Sequence, residues 1–110
     1  MAAPITREEL KQKMDAREDF VLIDVLSRES YHREHLPGAT NIPFGEISKD
    51  SVSAIPRDRE VIVYCANFEC TASPAAARML EGIGFTNVID YEGGIADWKE
   101  ARYPVEPGRI

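Results

Sequence analysis

Basic residues are the minority in this 110-residue chain: 13 lysines and arginines face 19 aspartates and glutamates, a formal charge of −6. Nucleic acid or an anionic membrane surface would call for clustered basic side chains, so neither is expected as a main partner. Long apolar runs are lacking too. The longest strongly apolar stretch, Phe20 to Ile23, is far below the roughly 20 residues that span a bilayer. The opening residues, Met1 to Leu10, have neither the basic nor the apolar segment of a secretory signal. Cysteine is scarce, and two residues cannot staple a disulfide-rich secreted scaffold. A reducing cytoplasm is therefore the expected compartment. What is present is ordinary: 44% hydrophobic and 29% charged residues, in a length that buries one core without metals or disulfides. One domain over residues 1–110 is expected, without repeat, linker or low-complexity run.

The patterning alternates between two periods. Thr6 with Glu9 three residues on reads as a capping box, opening a helix over about Arg7 to Ala16 whose buried stripe holds Leu10 and Met14. Phe20 to Ile23 is a continuous apolar run, as in a parallel strand buried on both faces, and it ends in Asp24. Ser27 is an N-cap for a polar helix to Glu34, with Tyr31 as its apolar contact, before Pro37-Gly38 breaks the chain. Ala39 to Ile42 reads as a short strand, and Phe44 to Ser53 as a helical turn followed by loop. Val61 to Tyr64 is a second buried strand. After Cys65 and a loop, an alanine-rich helix runs from about Ala72 to Gly84. Asn87 to Asp90 gives a third apolar strand, and a last helix carries Trp98. The tail after Pro104 reads as a loosely held end. Strands alternating with helices indicate an α/β fold with a mostly parallel, covered sheet.

In such sheets ligands bind at the carboxyl ends of strands, where Asp24 and Cys65 stand. Cys65 is the sharper candidate. It follows a strand and precedes a loop, Ala66, Asn67, Phe68, Glu69, Cys70 and Thr71, that leads into a helix N-terminus. Free backbone N–H groups and the positive end of a helix dipole there stabilise a thiolate, the nucleophilic form. The plainer alternative is a small buried hydrophobe.

Leu22 to Val25, Tyr31, His35 to Ala39 and Asn41 to Pro43 resemble the first half of a single-domain rhodanese. Val63 to Cys65, the helix with Ala75 to Leu80, Gly84-Phe85, Asn87-Val88 and Glu92 to Ile95 with Trp98 resemble its second half, in the expected order. The likeness runs from about Ile5 to Ala101. It implies a rhodanese-like three-layer α/β/α sandwich of about five strands. It also implies a sulfurtransferase in which Cys65 takes a sulfane sulfur as a persulfide and passes it to a nucleophilic acceptor. Converging N–H groups can hold a persulfide's negative charge with no metal or cofactor, and a covalent intermediate splits the transfer into two easier steps. The expected partners are a small sulfur donor, or a protein-bound persulfide, and a thiol acceptor, for a monomer or weak homodimer. Six residues from Cys65 to Cys70 match the loop length of sulfur-transferring members. Phosphatase relatives have one residue more, ending in an arginine, and this chain has Thr71 there.

The departures are informative. Family loops often carry basic residues that attract thiosulfate, whereas this one has none and holds Glu69. Leu26 stands where an arginine often follows Asp24-Val25, with Arg28 two further on; Asp24 and Arg28 are the supporting residues of the expected site. A neutral or protein-bound persulfide therefore suits this loop better than thiosulfate. Cys70 replaces a frequent arginine. Curling of the loop can bring the two Cβ atoms within about 4.5 Å, as a disulfide needs, making Cys70 a resolving thiol. N–H groups converging on Cys65 would instead point Cys70 outward, as a packing residue. His32 and His35 stand three apart, but Pro37-Gly38 ends that helix, the likeness assigns His35 to a structural turn, and further metal ligands are lacking. Asp24 is expected to order its turn by accepting backbone hydrogen bonds, and Trp98, with Ile95, to be core. Gly93-Gly94 lacks the spacing and lysine of a phosphate loop. Two alternatives stand beside sulfur transfer: a thiol–disulfide redox module using Cys65 and Cys70, and a non-catalytic domain that binds a partner protein.

Overall fold

Val61–Tyr64 is buried at all four positions because it is the middle strand of a sheet covered on both faces. In the computed structural model residues 2–107 are described; of the expected 1–110 domain, Met1 and residues 108–110 lie outside the described residues. The elements in chain order are β1 (Ala3–Pro4), α1 (Arg7–Asp15), β2 (Val21–Asp24), α2 (Arg28–Arg33), β3 (Thr40–Asn41), a 3-10 turn (Phe44–Glu46), β4 (Val61–Tyr64), α3 (Ala72–Ile83), β5 (Val88–Tyr91) and α4 (Gly94–Glu100). The strands lie in the order β1-β5-β4-β2-β3, and every neighbouring pair is parallel. This is the expected α/β/α sandwich.

Alternation along the strands divides the core in two. Val61 and Val63 of β4 and Ile23 of β2 face one layer, packing with Ala76, Ala77 and Leu80 of α3. Ile62, Tyr64 and Leu22 face the other, packing with Leu10 of α1 and Trp98 of α4. Small alanines on α3 let its axis lie close to the sheet, while Trp98 fills the opposite layer with no exposed surface.

Local sequence rules account for most element ends. Thr6 and Glu9 form the capping box reciprocally, the Thr6 hydroxyl accepting from Glu9 N–H at 3.1 Å and the Glu9 carboxylate from Thr6 N–H at 3.0 Å. Ser27 caps α2, and Gly84 ends α3 at φ +124°, where a β-carbon would be strained. Leu10 is fully buried and Met14 packs partly against the same layer.

Three expectations need correction. The strands expected at Phe20 and Asn87 begin one residue later, because pairing aligns Val21 and Val88 with Val61. The expected Ala39–Ile42 strand pairs only at Thr40–Asn41. The end after Pro104 is fastened through Glu106: His35 and Glu106 exchange two backbone hydrogen bonds, of 2.9 and 2.8 Å. The Trp98 indole N–H also donates to the Pro104 carbonyl at 2.8 Å, and Tyr103 and Val105 pack on the core beside it. A two-residue edge strand, Ala3–Pro4, adds to the expected elements; proline is tolerated at an edge, and so short a segment carries no period to read.

Candidate active site

The strand order reverses between β2 and β4, and in open parallel sheets it is at such a reversal, at the carboxyl ends of the strands, that ligands bind. Cys65 is the first residue beyond β4 at that point, and it is only 1% exposed. Beside it, Asp24 ends β2 in register with Tyr64.

Asp24 is fully buried and fully engaged. Its Oδ1 accepts from the Leu26 N–H at 2.8 Å, which fixes the turn after β2, and its Oδ2 accepts from the Tyr64 hydroxyl at 2.7 Å. The Tyr64 oxygen in turn accepts from the Leu36 N–H at 3.1 Å. Burial raises the Asp24 carboxyl above the usual carboxylate range, against the opposing pull of the Tyr64 and Leu26 bonds. Burial and the neighbouring Asp24 charge raise the Tyr64 phenol as well. Asp24 thus orders its turn, as expected, and anchors the residue just before Cys65.

The loop itself is held from two sides. The Asn67 side chain accepts from the Glu69 N–H at 3.0 Å and its carbonyl from the Cys70 N–H at 3.1 Å, so the backbone curls tightly. Opposite, the Ile95 N–H donates to the Cys65 carbonyl at 3.0 Å and the Ala96 N–H to the Ala66 carbonyl at 2.9 Å. The start of α4 therefore grips the loop. Gly94 permits this contact: φ is +66°, and a β-carbon there would lie 2.4 Å from the Cys65 carbonyl oxygen and 2.8 Å from the Asn67 nitrogen. Gly94 is thus the backbone clamp of the loop, a role distinct from the phosphate motif that Gly93-Gly94 does not make. A dipeptide of glycines beside a helix start was the signal available.

Curling brings the two cysteines together. Cys65 and Cys70, with Cα atoms 6.5 Å apart, are joined by a disulfide. Their surroundings differ: Cys65 is buried, whereas Cys70 is half-buried at the loop's outer end. Thr71 occupies the N-cap position of α3 without a side-chain cap bond, so the first N–H groups of that helix are left uncapped beside Cys70. Asn67, Phe68 and Glu69 form the exposed crest, and Ala66 is half-buried under it. Phe68, 72% exposed, borders an open groove of about 430 Å³ whose other walls include Ile5, Arg7, Tyr91 and Asp97. Cys65 is not among the residues lining that groove.

Arg28 stands apart from this arrangement. It is exposed and ion-paired with Glu46, and among the described residues it makes no hydrogen bond or ion pair with the loop. His35 is buried and structural: its Nδ1 lies 2.9 Å from the Tyr31 carbonyl, and its ring stacks on Tyr31 with centroids 3.8 Å apart. Among the described residues no group of three or more histidine, cysteine or acidic side chains is placed to hold a metal ion.

An all-parallel sheet with a cysteine loop leaving its central strand at the reversal point defines the class of fold and site. The rhodanese-like domain family matches residues 6–101, and the chain belongs to that family. It is similar to the HTH-type transcriptional regulator Rv0324 of Mycobacterium tuberculosis, 36% identical over 104 residues, which cover 94% of this chain and 45% of the regulator. It is also similar to a sulfurtransferase of Allochromatium vinosum, 29% identical over 105 residues, covering 96% of this chain and 95% of that protein. The chain thus spans about half the length of some curated relatives and nearly all of another. Among solved structures, the BH2092 protein of Bacillus halodurans superposes with a TM-score of 0.92 at 26% identity, covering 96% of this chain and 77% of that one. No helix among the described residues is long and apolar enough to cross a membrane.

Proposed function

We propose that this domain is a sulfurtransferase in which Cys65 carries a sulfane sulfur as a persulfide and passes it to a thiol acceptor. The observation that carries the reading is the position of Cys65: first residue after the central strand, in a curled loop clamped by α4 and leading to the uncapped start of α3. Family membership and a sulfurtransferase-named relative of nearly the same length support a sulfur-transfer role. Backbone N–H groups at such a helix start favour an anion, and a persulfide's outer sulfur is one.

Turnover starts from the reduced pair, since a disulfide-bonded Cys65 is not a thiolate and cannot act as the nucleophile that takes sulfur from a donor. A reducing cytoplasm would supply that form. The donor we favour is a neutral or protein-bound persulfide, because residues 66–71 contain no lysine or arginine and Glu69 stands exposed among them. Intact-mass measurement after reduction and incubation with a persulfide donor should show one cyanide-labile sulfur on Cys65. Cys65→Ser, folded by circular dichroism, should neither gain that sulfur nor transfer it; sulfur transfer retained by that variant refutes the assignment.

A further inference from the structure

The two sulfurs of the loop are in bonding contact, and only one of them is buried. This arrangement has a chemical consequence beyond carrying sulfur. If Cys65 holds a persulfide, the nearest thiol is Cys70, tethered in the same loop and able to reach the Cys65 sulfur, as the disulfide demonstrates. Tethering turns a bimolecular thiol exchange into a unimolecular one.

We propose that the pair makes this domain a sulfane-sulfur reductase, which releases the carried sulfur as hydrosulfide and is reset by a dithiol reductant. The inference rests on Cys65 being the sulfur carrier. In the releasing step the Cys70 thiolate attacks the inner, Cys65 sulfur of the persulfide. The Cys65–Cys70 bond forms and the bond from the Cys65 sulfur to the outer sulfur breaks. The outer sulfur leaves with the electron pair and takes up one proton as hydrosulfide. The sulfane sulfur is reduced by two electrons, and the two cysteines are oxidised to the disulfide seen in the structure.

Resetting has a direction set by burial. Cys65 is 1% exposed and Cys70 is half-buried, so an incoming thiolate reaches the Cys70 sulfur and expels Cys65. The leaving thiolate is then the one at the site of sulfur loading. A second thiolate on the same reductant attacks the mixed disulfide at the reductant's own sulfur, frees Cys70 and departs as a disulfide. A dithiol reductant completes both attacks on one molecule, and its two electrons balance those delivered to the sulfane sulfur. The exposed crest beside Cys70, formed by Asn67, Phe68 and Glu69, offers a protein-borne dithiol an apolar contact at Phe68 and a single charge at Glu69.

The test is a single turnover. Reduced wild type and Cys70→Ser are loaded with an uncharged alkyl persulfide, freed of it and of its thiol product by rapid desalting, and left without any thiol. Wild type should release one equivalent of hydrosulfide per chain, at a rate independent of protein concentration, and end as the internal disulfide by intact mass. Cys70→Ser should keep its sulfur on Cys65 and release none until a dithiol is added. Retention of the persulfide by wild type for as long as by Cys70→Ser overturns the inference while leaving Cys65 a sulfur carrier. Release that quickens with protein concentration, marking an intermolecular route, overturns it as well. Failure of Cys70→Ser, shown folded by circular dichroism, to load any sulfur overturns the carrier reading itself.

Discussion

At Tyr64 one hydroxyl joins three segments of the chain: it donates to Asp24 at the end of β2 and accepts from Leu36 after α2, while its own strand leads into Cys65. Tyr64→Phe removes that oxygen and nothing else. The Leu36 N–H and the Asp24 carboxylate oxygen are then left unpaired inside the protein, at about 1–3 kcal/mol for each group. Urea unfolding should show a lowered midpoint with an unchanged slope, as expected when stability and not compactness is altered. Asp90 offers a contrasting case on β5. It is 5% exposed, its Oδ1 has no hydrogen-bond partner among the described residues, and burial raises its carboxyl above the ordinary value, with Ser73 opposing and Glu92 adding. The folded protein therefore keeps the Asp90 proton to higher pH than the unfolded chain. It follows that this residue's contribution to stability declines as pH rises from the ordinary carboxylate range through the raised value. Asp90→Asn should be more stable than wild type at neutral pH and lose that advantage in acid. Unfolding midpoints across a pH series would show it, and an advantage that persists unchanged in acid would refute the assignment.

Among the elements, the start of α4 matters most to the loop. Gly94→Ala places a β-carbon in left-handed backbone, which by itself costs roughly 1–2 kcal/mol, and drives it into the Cys65 carbonyl. The helix must retreat, and the hydrogen bonds from Ile95 and Ala96 to the loop are lost with it. The expected outcome is a loss of stability beyond the backbone cost, accompanied, if Cys65 loads sulfur as proposed, by loss of that loading. Gly82 in α3 has the opposite sign: open space surrounds its missing β-carbon, so Gly82→Ala should gain about 0.5–1 kcal/mol of helix stability and leave loading intact. The pair of variants separates loop clamping from a general effect of replacing glycine. These two glycines also show what was legible in the sequence. Helices with side-chain caps, and strands with unbroken apolar runs, announced themselves at Thr6, Ser27 and Val61 because their signals are local. The Gly94 clamp was not legible in detail, since its reason is a carbonyl 29 residues earlier in the chain. The fastening of Glu106 to His35 and the short β1 share that character: each depends on pairing with a distant segment, and neither leaves a period in its own residues. At the site, Cys65 and Asp24 could be placed from strand ends alone. The separate placement of Arg28 could not, because an exposed arginine is claimed by whichever carboxylate the fold brings near, here Glu46.

The whole molecule carries a formal charge of −6, and this bears on what can approach the loop. A dianionic donor such as thiosulfate meets two unfavourable fields. The distant charges act weakly, because ions screen them over about 10 Å at 0.1 M salt and about 3 Å at 1 M. Exposed Glu69 belongs to the same loop as Cys65, and a pair of unit charges that comes within about 4 Å interacts by about 1 kcal/mol in water and about 4 kcal/mol near a protein surface. No lysine or arginine in residues 66–71 offsets it. On the proposed sulfur-transfer reading, a charge within the loop should therefore outweigh net charge in setting donor preference. If Cys65 loads sulfur as proposed, the KM for thiosulfate should fall as salt is raised, while that of an uncharged persulfide donor should stay nearly constant. Glu69→Gln should lower the thiosulfate KM severalfold at low salt, with a smaller gain at high salt, and should leave the neutral donor unaffected. Steady-state rates for both donors across a salt series measure each quantity directly. An equal response of the two donors to Glu69→Gln would show that the carboxylate acts through loop structure, and the electrostatic account of donor choice would then fail.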